Sequence, residues 1–318
     1  MTAAPTERFT LVPELATIMA AVPPLPEISP DTVAQVRERV TEAAARQPRP
    51  QVHAVADRTV PGPAGEIPVR IYHPHAGDAL PVLVFAHGGG WSICNIETHD
   101  GLCREIANRS GCLVVSVDYR LAPEHVFPAA AEDFYATATW VAEHAAEIGG
   151  DPTRVAVGGD SAGGNLAAVV ALMARDRGGP AFAFQLLAYP GLDGVSERPS
   201  ATANGDAPML NRKSSQSMWR AYAAGADLRN PYLSPLYAED LTGLPPGLIV
   251  TAEYDMGVDD ARAYTEAVNN LGGALELLVA EGTVHGFLSY YAQVPACSDA
   301  LDHACNALRA AVGLSPAD

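Results

Sequence analysis

The sequence predicts an α/β fold: a mostly parallel central sheet with helices on both faces and a helical cap. Three observations carry this expectation. Short apolar runs rich in β-branched residues recur at 68–72, 82–86, 113–118, 155–158, 182–188, 248–252 and 274–280. Helical patterns at 100–109, 129–148, 162–175 and 256–271 lie between most of them, and strand alternating with helix specifies parallel pairing with both faces covered. Two regions, 1–45 and 191–225, break that alternation and supply the helices of a cap.

Each element follows from local pattern. The segments 53–60 and 68–72 flank "PGPAGE", whose Pro and Gly residues predict an antiparallel hairpin at one sheet edge. In the first 45 residues, two amphipathic stretches are split by "PPLPEISP", the second with Val33, Val36 and Val40 on one face. Residues 191–225 hold a loop rich in Ser, Gly and Pro, then a helix through Met218, Trp219 and Tyr222. The expected organisation is therefore cap (1–45), core (46–190), cap (191–225) and core (226–318).

Composition narrows the class of function. The 318 residues are 48% hydrophobic and 18% charged, with a mean hydropathy of +0.05, the profile of a folded water-soluble chain. No apolar run reaches the roughly 18 residues that cross a membrane. Glu7 and Glu14 interrupt the first apolar stretch and no basic segment precedes it, so an intracellular, cytoplasmic protein is expected. The net charge of −17 repels phosphate backbones and argues against nucleic acid. The five cysteines, Cys94, Cys103, Cys112, Cys297 and Cys305, show no CxxC spacing, so neither a zinc site nor a disulfide framework is expected. Cys297 and Cys305 read as small apolar residues on a helix.

The chemistry concentrates in "VAVGGDSAGGNLAA" at 155–168. Gly159-Asp160-Ser161-Ala162-Gly163 fits G-x-S-x-G, a strand-to-helix turn so tight that residues two before and two after the serine must lack bulk. Such a turn exposes the Ser161 hydroxyl at a strand's carboxyl end, where ligands bind in open α/β sheets. A serine nucleophile needs a base, and the base an orienting carboxylate. Of the nine histidines only His285 and His303 follow Ser161. His303 falls in a helical pattern, whereas His285 stands in "EGTVHGF", a loop after the strand-like "ALELLVA". For the acid, "GLIVTAEYD" ends at Asp255; Glu253 lies within the strand end, and Asp259 and Asp260 fall on the following helix. "VLVFAHGGGW" leads from a strand into Gly88 and Gly89, whose amides, with that of Ala162, are expected to form the oxyanion hole. His87 is expected to shape that loop. Trp91, Trp219, Tyr222 and Phe287 are the candidate substrate-lining residues.

With "HGGGW", "YRLAPEH", "GGDSAGG", "AEYD" and "VHGF" in order, the chain resembles the hormone-sensitive-lipase-like family of bacterial carboxylesterases, also called family IV. The resemblance spans nearly the whole chain. It implies an α/β-hydrolase fold with a helical cap, no cofactor, hydrolysis of short-chain acyl esters of small molecules, and homodimers as a common state. By that resemblance Ser161 is nucleophile, His285 base and then acid, Asp255 its orienter, and Gly88, Gly89 and Ala162 hold the oxyanion. The segment 119–130 matches the family's structural turn behind the site.

Two departures stand out. Met256-Gly257-Val258 follows Asp255 where the family commonly has proline and leucine, which leaves the rigidity of the acid loop open. Cys94 stands where glycine is usual. The same triad serves amidases and lactonases, because the pocket and the leaving group decide among acyl transfers. A non-catalytic binding protein on this fold, such as the plant gibberellin receptor, lacks the triad histidine, and His285 is present here.

Overall fold

Side-chain alternation along the central strands sets the layering. Val82 and Val84 of β3 (Leu80–Ala86) join one apolar cluster, while Leu83 and Phe85 join another. The same split divides Val115 from Val114 in β4 (Leu113–Val117), and Val155 and Val157 from Ala156 in β5 (Gly150–Asp160). Strands apolar on both sides belong in the middle of a covered sheet. In this computed structural model, which describes residues 8–315, they form the centre of an eight-stranded sheet.

The strand order is β1-β2-β4-β3-β5-β6-β7-β8, with β1 (Ala54–Gly62), β2 (Gly65–His73), β6 (Gln185–Ala188), β7 (Gly247–Tyr254) and β8 (Leu275–Val284) completing it. β1 and β2 form the expected edge hairpin, β2 pairs antiparallel with β4, and every other pair is parallel. Helices α4 (Ala129–His144), α5 (Ala162–Arg177) and α8 (Val258–Asn270) cover one face; α3 (Ile96–Ser110) and α9 (Pro295–Ala311) cover the other. Cys297 and Cys305 lie on the buried side of α9 as free thiols.

Most strands run longer than expected, β5 by seven residues, and two further departures shape the site end of the sheet. β6 is only four residues: just before it the Ala183 amide donates to the Val155 carbonyl at 2.7 Å and the Phe184 carbonyl accepts the Val157 amide at 3.1 Å, but regular pairing with β5 begins at Val157↔Gln185. β8 continues through Glu281-Gly282-Thr283-Val284, read from sequence as loop: the ladder slips its register between Ala252 and Tyr254, with Gly282 at φ +64° opposite, and resumes at Tyr254↔Val284. Glycine tolerates that left-handed conformation. The consequence is functional, since the next residue of each strand is Asp255 and His285.

The two regions outside the alternation lie together. α1 (Pro13–Ala21) and α2 (Val33–Ala44) come from the first; α6 (Pro199–Ala203) and α7 (Arg212–Ala223) from the second. Ile28, Val33 and Val36 pack with Met218 of α7 and Ile93, and the Ser217 hydroxyl accepts the Ile28 amide at 2.8 Å. Arg37 of α2 reaches down to the carbonyls of Ser92 and Ala122 at 2.8 and 2.9 Å. Among the described residues no helix is long and apolar enough to cross a membrane.

Candidate active site

Ser161 sits between β5 and α5 with φ +54° and ψ −115°, a strained conformation for a residue with a side chain. The turn closes only because its neighbours are small. A Cβ on Gly163 would overlap the Ala86 carbonyl, and one on Gly159 would run into the backbone of Gly163. The strained turn leaves the hydroxyl projecting from the first turn of α5, where the amides point forward.

The hydroxyl meets His285. Ser161 Oγ lies 2.7 Å from His285 Nε2, and His285 Nδ1 lies 2.7 Å from Asp255 Oδ2. With Nδ1 donating to the carboxylate, Nε2 is left to accept the serine proton. The other carboxylate oxygen, Asp255 Oδ1, accepts the Gly257 amide at 2.9 Å, which holds the acid in plane. Burial by itself lowers the His285 pKa; the adjacent charge and hydrogen bond of Asp255, with the more distant charge of Asp160, outweigh it and raise the imidazole above its ordinary value.

The competing acids and base are engaged elsewhere. Glu253 Oε2 accepts the Gly282 amide at 2.8 Å, Asp259 binds Arg262 and Ser200, and Asp260 binds Ser196 and Arg198. His303 pairs with Glu276 on the surface.

The glycine loop departs from expectation at one position. Gly88 N–H donates to Asp160 Oδ1 at 2.8 Å, and Gly88 lines neither of the cavities that reach Ser161. Its amide is therefore withdrawn from the oxyanion role expected of it. Gly89 and Gly90 line a cavity with Ser161 and His285, and Ala162 lines another with Ser161. Gly90, at φ +57°, lines both cavities. Asp160 was missed from sequence because a carboxylate beside the nucleophile carries no visible partner there. It is buried against His99, 3.1 Å away. Burial works to raise its pKa, but the charge and hydrogen bond of His99, with His87 and the Gly88 amide, hold the carboxyl below the usual range. His87 is structural as expected: burial and the nearby His99 push its pKa down to about 3, its Nδ1–H donates to the Gly88 carbonyl, and its ring stacks on Tyr119 at 4.3 Å. Tyr119, from the 119–130 turn, donates its hydroxyl to the His87 carbonyl at 2.7 Å.

Two cavities meet at Ser161. One, of about 510 Å³, runs beneath Trp91 and Trp219. The other, of about 690 Å³, runs under the proline-rich 23–26 segment and α2 and is lined by Val36, Val40, Ile93 and Cys94. Tyr222 and Phe287, expected to line the site, do not. Tyr222 is fully buried, stacked on Trp91 at 4.7 Å, and Phe287 is buried against Tyr189. Both are packing residues that back the site. Burial, with the charge of Asp160 adding to it, pushes the Cys94 thiol up to about 12, which leaves it a poor nucleophile near neutral pH.

Comparison with known proteins agrees with this architecture. A family model described as the alpha/beta hydrolase fold matches residues 83–289. Esterase LipI of Mycobacterium tuberculosis is 42% identical over 308 residues, 95% of this chain and 96% of its own length. Carboxylesterase NlhH of the same organism is 45% identical over 252 residues, covering 78% of this chain and 79% of that one. The crystallised hyperthermophilic esterase from the archaeon Pyrobaculum calidifontis superposes with a TM-score of 0.88 at 38% identity, over 94% of this chain and 98% of that one. The parallel sheet, the strained serine turn and relatives of this closeness lead to one assignment: the chain belongs to the hormone-sensitive-lipase-like carboxylesterases of the α/β-hydrolase superfamily.

Proposed function

We propose that the protein hydrolyses short-chain acyl esters of small molecules through an acyl-enzyme on Ser161. The observation that supports this most directly is the unbroken relay of 2.7 Å contacts from Ser161 through His285 to Asp255. Ser161 Oγ attacks the ester carbonyl while its proton passes to His285 Nε2. The oxyanion is held by the amides of Gly89, Gly90 and Ala162, each such donor typically worth about 3 kcal/mol. His285 then protonates the departing alkoxide oxygen, leaving the acyl group on Ser161. Water enters, gives a proton to the same Nε2, attacks the acyl carbon and releases the acid as the proton returns to Ser161.

Residues 1–45 and 191–225 act in this reading as the two parts of a cap over a core of 46–190 and 226–318. Their contribution is the roof of both cavities, which divide the ester at its carbonyl and favour short acyl groups over long lipids. A cytoplasmic enzyme acting on dissolved esters, with no nucleic-acid partner, fits the strongly acidic composition.

The test is turnover of p-nitrophenyl esters of increasing acyl length by the wild type and Ser161→Ala, with mass spectrometry after an organophosphate. The expected result is activity greatest at short chains, lost in the variant, with the adduct on Ser161. Turnover that survives in Ser161→Ala overturns the reading. Faster cleavage of a matched amide or lactone would transfer it to that bond.

A further inference from the structure

No proline stiffens the acid loop Met256-Gly257-Val258, and hydrogen bonds from another segment brace it instead. α8 begins at Val258, three residues past Asp255, and its N-cap residue is Gly257, which has no side chain to satisfy the first amides of the helix. The missing cap comes from the middle insertion. Ser200 Oγ accepts the Asp259 amide at 3.2 Å and donates to the Met256 carbonyl at 2.8 Å, while the Ser200 amide donates to Asp259 Oδ2 at 2.9 Å. Four residues on, Asn204 Nδ2 donates to the Asp255 carbonyl at 2.8 Å and reaches the Glu253 carbonyl at 3.3 Å. Ser200 and Asn204 are themselves buried, 5% and 8% exposed, so these bonds are not exchanged freely with water.

We propose that Ser200 and Asn204 are positioning residues for the catalytic acid, holding the backbone at 255–259 so that Asp255 Oδ2 keeps its 2.7 Å bond to His285. The inference rests on the assignment of Asp255 as triad acid. Its physical content is that a carboxylate on a loop can rotate off the imidazole, and that small displacements of a catalytic group are costly, about 100-fold for 1 Å. The clamp stands on the segment that walls the first cavity, since Ala201 and Arg212 line it and Arg212 donates to the Ala201 carbonyl and to Thr202 Oγ1. The same short segment therefore borders the substrate and grips the acid.

The experiment compares Ser200→Ala, Asn204→Ala, Ser200→Thr and Asp255→Asn with the wild type, using p-nitrophenyl acetate across pH 5–9 and thermal melting to confirm folding. The expected result for each alanine variant is a kcat about 10-fold to 100-fold lower, a KM within about twofold, and an acidic limb of kcat/KM displaced toward lower pH as the hold of Asp255 on His285 loosens. Ser200→Thr, which keeps the hydroxyl, restores kcat. Folded alanine variants with wild-type kcat and pH profile overturn the clamp if Asp255→Asn is impaired. Should Asp255→Asn keep the wild-type rate, the acid assignment fails and the clamp falls with it.

Discussion

Asp160 Oδ1 accepts the amide hydrogen of Gly88 at 2.8 Å, a bond between positions 72 residues apart. It joins the turn that carries Ser161 to the glycine loop Gly88-Gly89-Gly90. Because Gly88 is held inward, the chain beyond it turns so that Gly89 and Gly90 border the cavity with Ser161 and His285. The carboxylate can stay ionised there, since His99 and the Gly88 amide compensate its burial.

Asp160 is therefore expected to influence the reaction through its bond to Gly88. In Asp160→Ala the buried Gly88 amide loses its 2.8 Å partner and keeps only the longer 3.3 Å contact to His99 Nε2, at a cost of about 1–3 kcal/mol, which the loop relieves by turning. The expected outcome is a kcat/KM lower by about 100-fold, with Ser161 still labelled by an organophosphate. Asp160→Asn keeps an oxygen for the same bond and should lose much less. Equal losses in the two variants, or none, would show that the bond does not set the oxyanion geometry.

The pH dependence follows from His285. Its pKa is raised, and only the neutral imidazole can take the serine proton, so activity falls as pH drops through that raised value. The acidic limb of kcat/KM is thus expected above the free imidazole value of about 6.5. Removing the neighbouring charge in Asp255→Asn should move the limb down and cut kcat on the order of 10⁴-fold, as the imidazole loses its oriented tautomer. A wild-type limb below about 6.5 would contradict the direction assigned to His285.

What the sequence revealed of this site depends on how local each feature is. Ser161 announces itself because the sterics of its turn involve Gly159 and Gly163, two positions away on either side. Asp255 and His285 are legible from chain order and from the rule that sites gather at strand ends. Gly88 was misjudged because the direction of its amide is decided by Asp160, far along the chain. Tyr222 and Phe287 were misjudged for another reason: an aromatic side chain that lines a cavity and one that packs behind it have the same composition and spacing. Strand β8 was cut short because glycine marks loops as readily as it permits a register slip within a ladder, as at Gly282. The clamp of Ser200 and Asn204 left no pattern, since its partners are mostly backbone groups.

Met218 offers the sharpest test of how the site selects esters. It lines both cavities at Ser161, and its side chain presses on Gly90, where even a Cβ would collide with it. Trp219, the next residue, lines only the cavity of about 510 Å³. If the two cavities receive the two sides of the ester, Met218→Ala should lengthen the tolerated chain on both, whereas Trp219→Ala should do so on one. The measurement is kcat/KM for p-nitrophenyl esters of rising acyl length and for acetates of rising alcohol length. Each newly accommodated methylene is worth about 1–3 kcal/mol, so gains of about 10-fold or more per carbon are expected beyond the wild-type limit. Burying less side chain in Met218→Ala also costs stability, about 2–5 kcal/mol for a methionine 4% exposed, so melting temperatures must accompany the rates. If Met218→Ala extends one series alone, Met218 is no common wall, and the second cavity then serves a purpose other than holding the other half of the ester.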